Sequence, residues 1–290
     1  MIKLGFCTDY SKERITFAQN AGFDCLEIGV GPGGKIDVEK IDEKKIEEIK
    51  GVFNRAGIRI ATMMCAFGSF GAVNHLDPDP VRRKESNDYF IKVLKSAKKF
   101  GVNVVCTNTF GDKNIKPEDN LSMYKKVFSE YAKVAEDNGV KIAMENCPHR
   151  GGYPLTIGNI GYSPSLWEKL FSEVSSPAIG LEYDPSHLYW LGVDYIKNIY
   201  TFSSRIYAFH AKDIEILREN LAKEGIYGNN WWRFRLPGLG EIDWKGIFRT
   251  LYDIGYNGDI LIEHEDSIMC GARMDEGLKL GLKYLKTFIV

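Results

Sequence analysis

The chain has no cysteines at Cys-x-x-Cys spacing, no apolar run close to a membrane span and almost no surplus of charge. Its six cysteines, Cys7, Cys25, Cys65, Cys106, Cys147 and Cys270, are scattered, several of them in or at the end of apolar runs. They read as reduced, buried thiols of a cytoplasmic protein rather than as an oxidised framework. A bilayer span needs roughly 20 apolar residues, and none is found. The opening MIKLGFCTDYSKER has neither the apolar stretch nor the cleavage pattern of a signal peptide. A net charge of −1 supplies no field for nucleic acid or an anionic membrane, so neither is expected as a partner. No linker or compositional break divides the 290 residues, which points to one domain over 1–290. At 44% hydrophobic and 27% charged, the chain has ample material for a large core.

Short apolar runs alternate with amphipathic stretches along the whole chain. The runs are IKLGFC, CLEIGV, IRIATMM, VNVVCTNT, KIAMEN, IGLEYD, RIYAFHAKD and DILIEHE. Helices are expected over Lys12–Ala21, Glu39–Ala56, Val81–Phe100 and Ser122–Asn138. Another opens at Ser163-Pro164 with a capping serine, and a last one fills Ala272–Phe288. Gly22, Gly57, Gly101 and Gly139 stand where the first four would stop. Near-continuous apolar strands followed by helices indicate a parallel sheet covered on its outside. Eight such units in about 250–300 residues predict an α/β fold of one closed (β/α)8 barrel, the TIM barrel, rather than an open sheet. Longer inserts at 66–80, 147–162 and 214–241 would rise from the C-terminal face, where such barrels bind ligands.

Four ligand-type residues close successive strands on that face: Glu145, Asp184, His210 and Glu263. Each has an ordinary alternative. Asp-Pro is a common turn start, a lone histidine in an apolar run is more often a core residue, and a glutamate at a strand end can cap a loop. The coincidence at four neighbouring strand ends is harder to dismiss. Three carboxylates converging there would repel one another unless a cation held them. Oxygen-rich donors with one imidazole suit Mn²⁺, Mg²⁺ or a similar ion better than structural Zn²⁺.

The Glu of MEN, Asp-Pro-Ser-His, His-Ala-Lys-Asp, Pro-Gly-Leu-Gly-Glu-Ile-Asp-Trp and the closing Ile-Glu-His-Glu together resemble the xylose isomerase-like barrel superfamily. Within it the chain is similar to the sugar phosphate isomerase/epimerase group, which includes ketose 3-epimerases, hydroxypyruvate isomerase and inosose dehydratase. The resemblance implies one divalent metal ion, Mn²⁺ first and Mg²⁺, Co²⁺ or Zn²⁺ after it, held by Glu145, Asp184, His210 and Glu263. It implies that Glu145 and Glu263 move protons through a metal-bound enediolate of a ketose or keto-sugar. It also implies that His187 and Arg235 touch the substrate, with Arg233 near enough in sequence to take the second place. Relatives are often dimers or tetramers.

Further candidates come from position. On an extended strand Lys212 points to the same side as His210, so it would reach the site or remain a solvated lysine. Trp231 and Trp232 read as exposed aromatics that stack on a sugar or anchor their loop. Glu27 and His75 are weaker pocket candidates, and His264 or Glu265 would support Glu263 from behind. His264-Glu265-Asp266 and the Ala-Lys-Asp after His210 depart from the ketose 3-epimerases. The expected enzyme is therefore a metal-dependent sugar isomerase or epimerase. The alternative is a lyase or hydratase acting on an inosose or 3-keto-glycoside, glycoside-bond cleavage included. An apurinic endonuclease, which would need further histidines and a basic surface, and a non-catalytic sugar-binding barrel rank below both.

Overall fold

The computed structural model describes residues 1–65, 74–151 and 156–290, with the backbone alone at 150 and 151. The described strands are β1 (Lys3–Thr8), β2 (Cys25–Gly29), β3 (Arg59–Met64), β4 (Val104–Thr107), β5 (Lys141–Glu145), β6 (Arg150–Gly151), β7 (Thr156–Ile157), β8 (Ile179–Tyr183), β9 (Ile206–Ala211), β10 (Asp213–Ile216), β11 (Trp232–Arg235) and β12 (Asp259–Ile262). The helices are α1 (Lys12–Ala21), α2 (Glu43–Ala56), α3 (Pro80–Ala97), α4 (Leu121–Asn138), α5 (Pro164–Glu173), α6 (Pro185–Trp190), α7 (Tyr195–Thr201), α8 (Arg218–Glu224), α9 (Trp244–Asp253) and α10 (Met274–Lys286). Eight strands close a parallel barrel in the order β1-β12-β9-β8-β5-β4-β3-β2. The expected (β/α)8 architecture is therefore present, and β5, β8, β9 and β12, which carry or lead into Glu145, Asp184, His210 and Glu263, are consecutive in it.

Local chemistry explains the element boundaries. Asp42 accepts the Lys45 amide and opens α2, later than the expected Glu39, because Asp37 holds the chain just before it. Asp79 accepts from Val81 and Arg82, and Pro80 occupies the first turn of α3. That helix tightens into a 3₁₀ turn at Lys98–Phe100 before Gly101. Ser163 precedes α5 but does not cap it as expected, its hydroxyl lying 3.3 Å from that of Ser165. A 3₁₀ turn over Gly271–Arg273 delays the last helix to Met274.

Two of the three inserts differ from plain loops. Residues 66–73 of the first lie outside the described residues. In the second, β6 and β7 pair antiparallel, with 152–155 between them outside the description. The third is an antiparallel hairpin, β10 with β11, enclosing α8. Buried Asp213 fastens its return, accepting from the amides of Ile214, Gly238 and Ile242 and from the Trp244 indole. A Cβ at Gly240 would lie 2.3 Å from an Asp213 oxygen and 2.4 Å from the Ile214 carbonyl, so only glycine fits there. Among the described residues no helix is long and apolar enough to cross a membrane.

Candidate active site

The C-terminal ends of β5, β8, β9 and β12 converge on one acidic pocket. Asn146 clamps two of these ends together, donating to the Asp184 carbonyl at 2.9 Å and accepting the Asp184 amide at 2.8 Å. Asn159 reaches back from beyond β7 and donates to the carbonyls of Glu145 (2.8 Å) and Cys147 (2.7 Å). Asn108, just past β4, donates to Glu145 Oε2 at 2.8 Å. Asp184 divides its oxygens. Oδ1 accepts the Ser186 amide and starts α6, as an Asp-Pro turn would, while Oδ2 faces the pocket. Glu145, Asp184, His187 and Glu263 each offer an atom within 4.8 Å of the other three. Glu145 and Asp184 are buried, and Glu263 keeps 24% of its side-chain exposure, which leaves an approach from its side.

Lys212 is the counter-charge, and it is not a solvated lysine. Its ammonium lies 2.6 Å from Glu263, 2.8 Å from Glu265, 3.2 Å from Asp184 Oδ2 and 3.1 Å from His187 Nε2, under the Phe234 ring of the β10–β11 hairpin. Burial opposes its charge, but Asp184, Glu263 and Glu265 outweigh that and hold its pKa well above the usual lysine value. Glu263 is likewise held well below the carboxylate range: burial works against it, and the charges of Lys212 and His210 win. Burial raises Asp184 to about 6 despite Lys212. Lys212 also draws Glu265 downward, yet burial and the Glu263 charge leave that carboxyl raised. Burial, then Lys212, keeps His187 neutral.

His210 borders the cluster rather than joining its centre. Its Nδ1 lies 3.2 Å from Glu263 Oε2 and 3.7 Å from Glu145 Oε1. Its Nε2 turns into the barrel, 3.2 Å from Glu27 and 3.1 Å from Glu182. Cys7, Cys106 and Thr62 share this deeper layer, and Thr62 donates to Glu27 at 2.6 Å. Burial alone would raise Glu27, but the charge and hydrogen bond of His210 bring it to about 2. Burial and the Glu27 charge push Glu182 well above the carboxylate range.

Other expected residues fall elsewhere. His75 is enclosed by Phe90, Phe128 and Tyr131, 2.9 Å from the Tyr131 hydroxyl and 2.8 Å from that of Thr107. That is a core histidine, and burial lowers its pKa to about 3. Trp231 is buried rather than exposed, and Trp232 stacks on Trp190 at 4.7 Å, so the pair anchors the hairpin. Arg235 lies 3.1 Å from Asp266 and 3.4 Å from Glu215, with Arg233 also on Glu215. Glu182, Asn108, Asn146 and Asn159 were not singled out from the sequence. Glu182 could have been, because it stands two residues before Asp184 in a strand and so shares its inward face. The asparagines act across strand ends and leave no periodic signal.

The chain belongs to the xylose isomerase-like TIM barrel family, which matches residues 15–288. It is 27% identical to the uncharacterized protein YfiH of Bacillus subtilis (strain 168), over 99% of both chains. It is 25% identical to an inosose dehydratase of Clostridium perfringens (strain 13 / Type A), over 62% of this chain and 59% of that protein. Among solved structures, a D-psicose 3-epimerase superposes with a TM-score of 0.76 at 15% identity, over 99% of both chains. An IolI protein with a bound zinc atom also reaches 0.76, at 19% identity, over 99% of this chain and 98% of that one.

Proposed function

We propose that this protein is a divalent-metal-dependent sugar isomerase or epimerase that moves a proton on the carbon beside a carbonyl. The observation that carries this reading is the buried convergence of Glu145, Asp184, His187 and Glu263, with His210 Nδ1 beside Glu145 and Glu263. The donor set fits a metal ion. Asp184 Oδ2 and His210 Nδ1 are buried and take no hydrogen bond, although charged groups lie 3.2 Å from each. Glu145, Asp184, His210 and Glu263 would hold the ion, leaving His187 toward the substrate. When bound, the ion would polarise the substrate carbonyl and acidify the neighbouring C–H. IolI with zinc and a D-psicose 3-epimerase, which share the fold, are consistent with both halves of the reading.

Glu145 and Glu263 would then be the two proton carriers. They stand on strands separated by two others around the barrel, so they approach a substrate from different sides. Asn108 orients Glu145, and Lys212 keeps Glu263 ionised and ready to accept a proton. Lys212 and His187 would steady substrate oxygens, and Phe234 would shield them from water. Incubating keto-sugars with the Mn²⁺-loaded protein in D₂O should place deuterium on the carbon beside the carbonyl. Failure of every ketose, inosose and keto-glycoside to exchange would remove the proposal.

The Lys212–Glu265 pair favours a second reading, a dehydratase. Removing water requires an acid for the departing hydroxyl, and the raised Glu265 carboxyl, 47% exposed beside Lys212, would supply one. Inosose dehydratases among the relatives support it. A product lighter by one water selects this reading, and an isomeric product selects the first.

A further inference from the structure

We infer that Glu27 is a positioning residue for the proposed metal centre: it accepts the His210 Nε2–H and thereby leaves Nδ1 as the nitrogen that faces the ion. The inference rests on the metal reading above and adds a group that lies outside its ligand set. Glu27 stands on β2 and His210 on β9, three strands apart around the barrel, so their contact crosses the barrel interior. The geometry is asymmetric. His210 Nε2 is hydrogen-bonded to Glu27 Oε1 at 3.2 Å, whereas Nδ1 has no hydrogen bond and lies between Glu145 and Glu263. Glu182 comes as close to Nε2, at 3.1 Å, but neither of its oxygens takes a hydrogen bond.

Glu27 is itself fixed, because the Thr62 hydroxyl donates to its other oxygen at 2.6 Å. A Thr62–Glu27–His210 relay thus runs inward from β3 through β2 to β9. A carboxylate only 2% exposed inside a barrel core is costly without a partner. Among the described residues no arginine or lysine forms an ion pair with it; Thr62 and His210 hydrogen-bond to it, and the protonated Glu182 lies beside it. A carboxylate on the far nitrogen of a metal-bound histidine fixes the tautomer and the ring plane, and its loss typically weakens metal binding by about 10–100-fold.

The test uses the full-length chain with Zn²⁺ or Mn²⁺ alone. In the imidazole ¹⁵N–¹H spectrum of the Zn²⁺-loaded wild type, His210 should carry its proton on Nε2. The signal is assigned by its absence in His210→Asn. Mn²⁺ titration should then show an affinity about 10–100-fold weaker in Glu27→Gln, and a smaller loss in Thr62→Val. A proton on Nδ1 overturns the inference. So does undiminished Mn²⁺ affinity in Glu27→Gln, even if that variant is less stable, because a purely structural role moves only the unfolding midpoint. A larger loss in Glu182→Gln than in Glu27→Gln would hand the role to Glu182 and overturn it as well. Should Glu27→Gln not fold, the wild-type spectrum and Thr62→Val decide. Wild type that binds neither ion would instead defeat the functional reading itself, and this inference with it.

Discussion

Glu263 and Glu145 resemble each other in the sequence but meet different surroundings. Glu263 is bonded to Lys212 and partly open, while Glu145 is buried and bonded to Asn108. Under the proposed function each moves one proton. Glu263→Gln and Glu145→Gln, assayed at saturating Mn²⁺, should each lower deuterium incorporation by roughly 10²–10⁴-fold, the range for losing a general acid or base. Incorporation retained in either variant would take that residue out of the proton path. His75 allows a prediction independent of any ligand. Thr107 donates its hydroxyl proton to the Cys65 carbonyl and so accepts from His75 Nε2–H. The Asn87 amide nitrogen donates to the Tyr131 hydroxyl, whose own proton then goes to His75 Nδ1. The ring is therefore neutral, with a folded pKa of about 3, below the unfolded value of about 6.5. The folded state binds fewer protons than the unfolded one. The contribution is complete above pH 6.5 and is lost as pH falls toward 3, at about 1.4 kcal/mol per pH unit. Urea unfolding of wild type and His75→Phe at pH 7 and pH 5 should show the wild type losing more stability on acidification. Equal losses would mean that His75 is not held neutral.

The elements show where sequence patterns are informative and where they fail. Strand and helix order was legible because the barrel strands are mostly apolar on both faces and most early helices end at a glycine. The four strand-end residues were legible for the same reason, as polar side chains that interrupt apolar runs. The hairpin of β10 and β11 was not, since its order comes from long-range partners: Asp213 with the returning chain, and Trp232 with Trp190. His75 misled because its aromatic cage is assembled from two helices, Phe90 of α3 and, more than fifty residues beyond His75, Phe128 and Tyr131 of α4. The hairpin also makes a prediction at its own scale. A methyl group at Gly240 would collide with Asp213 and the Ile214 carbonyl, so Gly240→Ala should destabilise by about 1–3 kcal/mol, typical of overpacking. Calorimetry should show a lower unfolding temperature. Because Phe234 of the same hairpin covers Lys212, substrate affinity should also weaken. An unchanged midpoint would show that the Asp213 fastening is dispensable.

Considered as a whole, the molecule concentrates at one end of its barrel a charge imbalance that its composition hides. The net charge is only −1. Yet Glu145, Asp184, Glu263 and Glu265 gather around Lys212, with Glu27 and Glu182 directly beneath His210. Without an ion, protonating Glu182 and charging His210 relieve part of this, and both shifts run in that direction. A divalent cation at the strand ends would relieve more, and only in the folded state, where the donors are assembled. Metal binding should therefore appear as stability. With free Mn²⁺ at 100 times its dissociation constant, the folded state should gain about 2.7 kcal/mol. At roughly 2–4 °C per kcal/mol for a large domain, the midpoint should rise by about 5–10 °C. The stoichiometry should be one ion per chain, and the rise should shrink in Glu263→Gln and vanish with chelator. A nearly neutral protein does not attract ions over its whole surface, so a rise of equal size in Glu263→Gln would place the binding elsewhere and return the strand-end residues to a structural role.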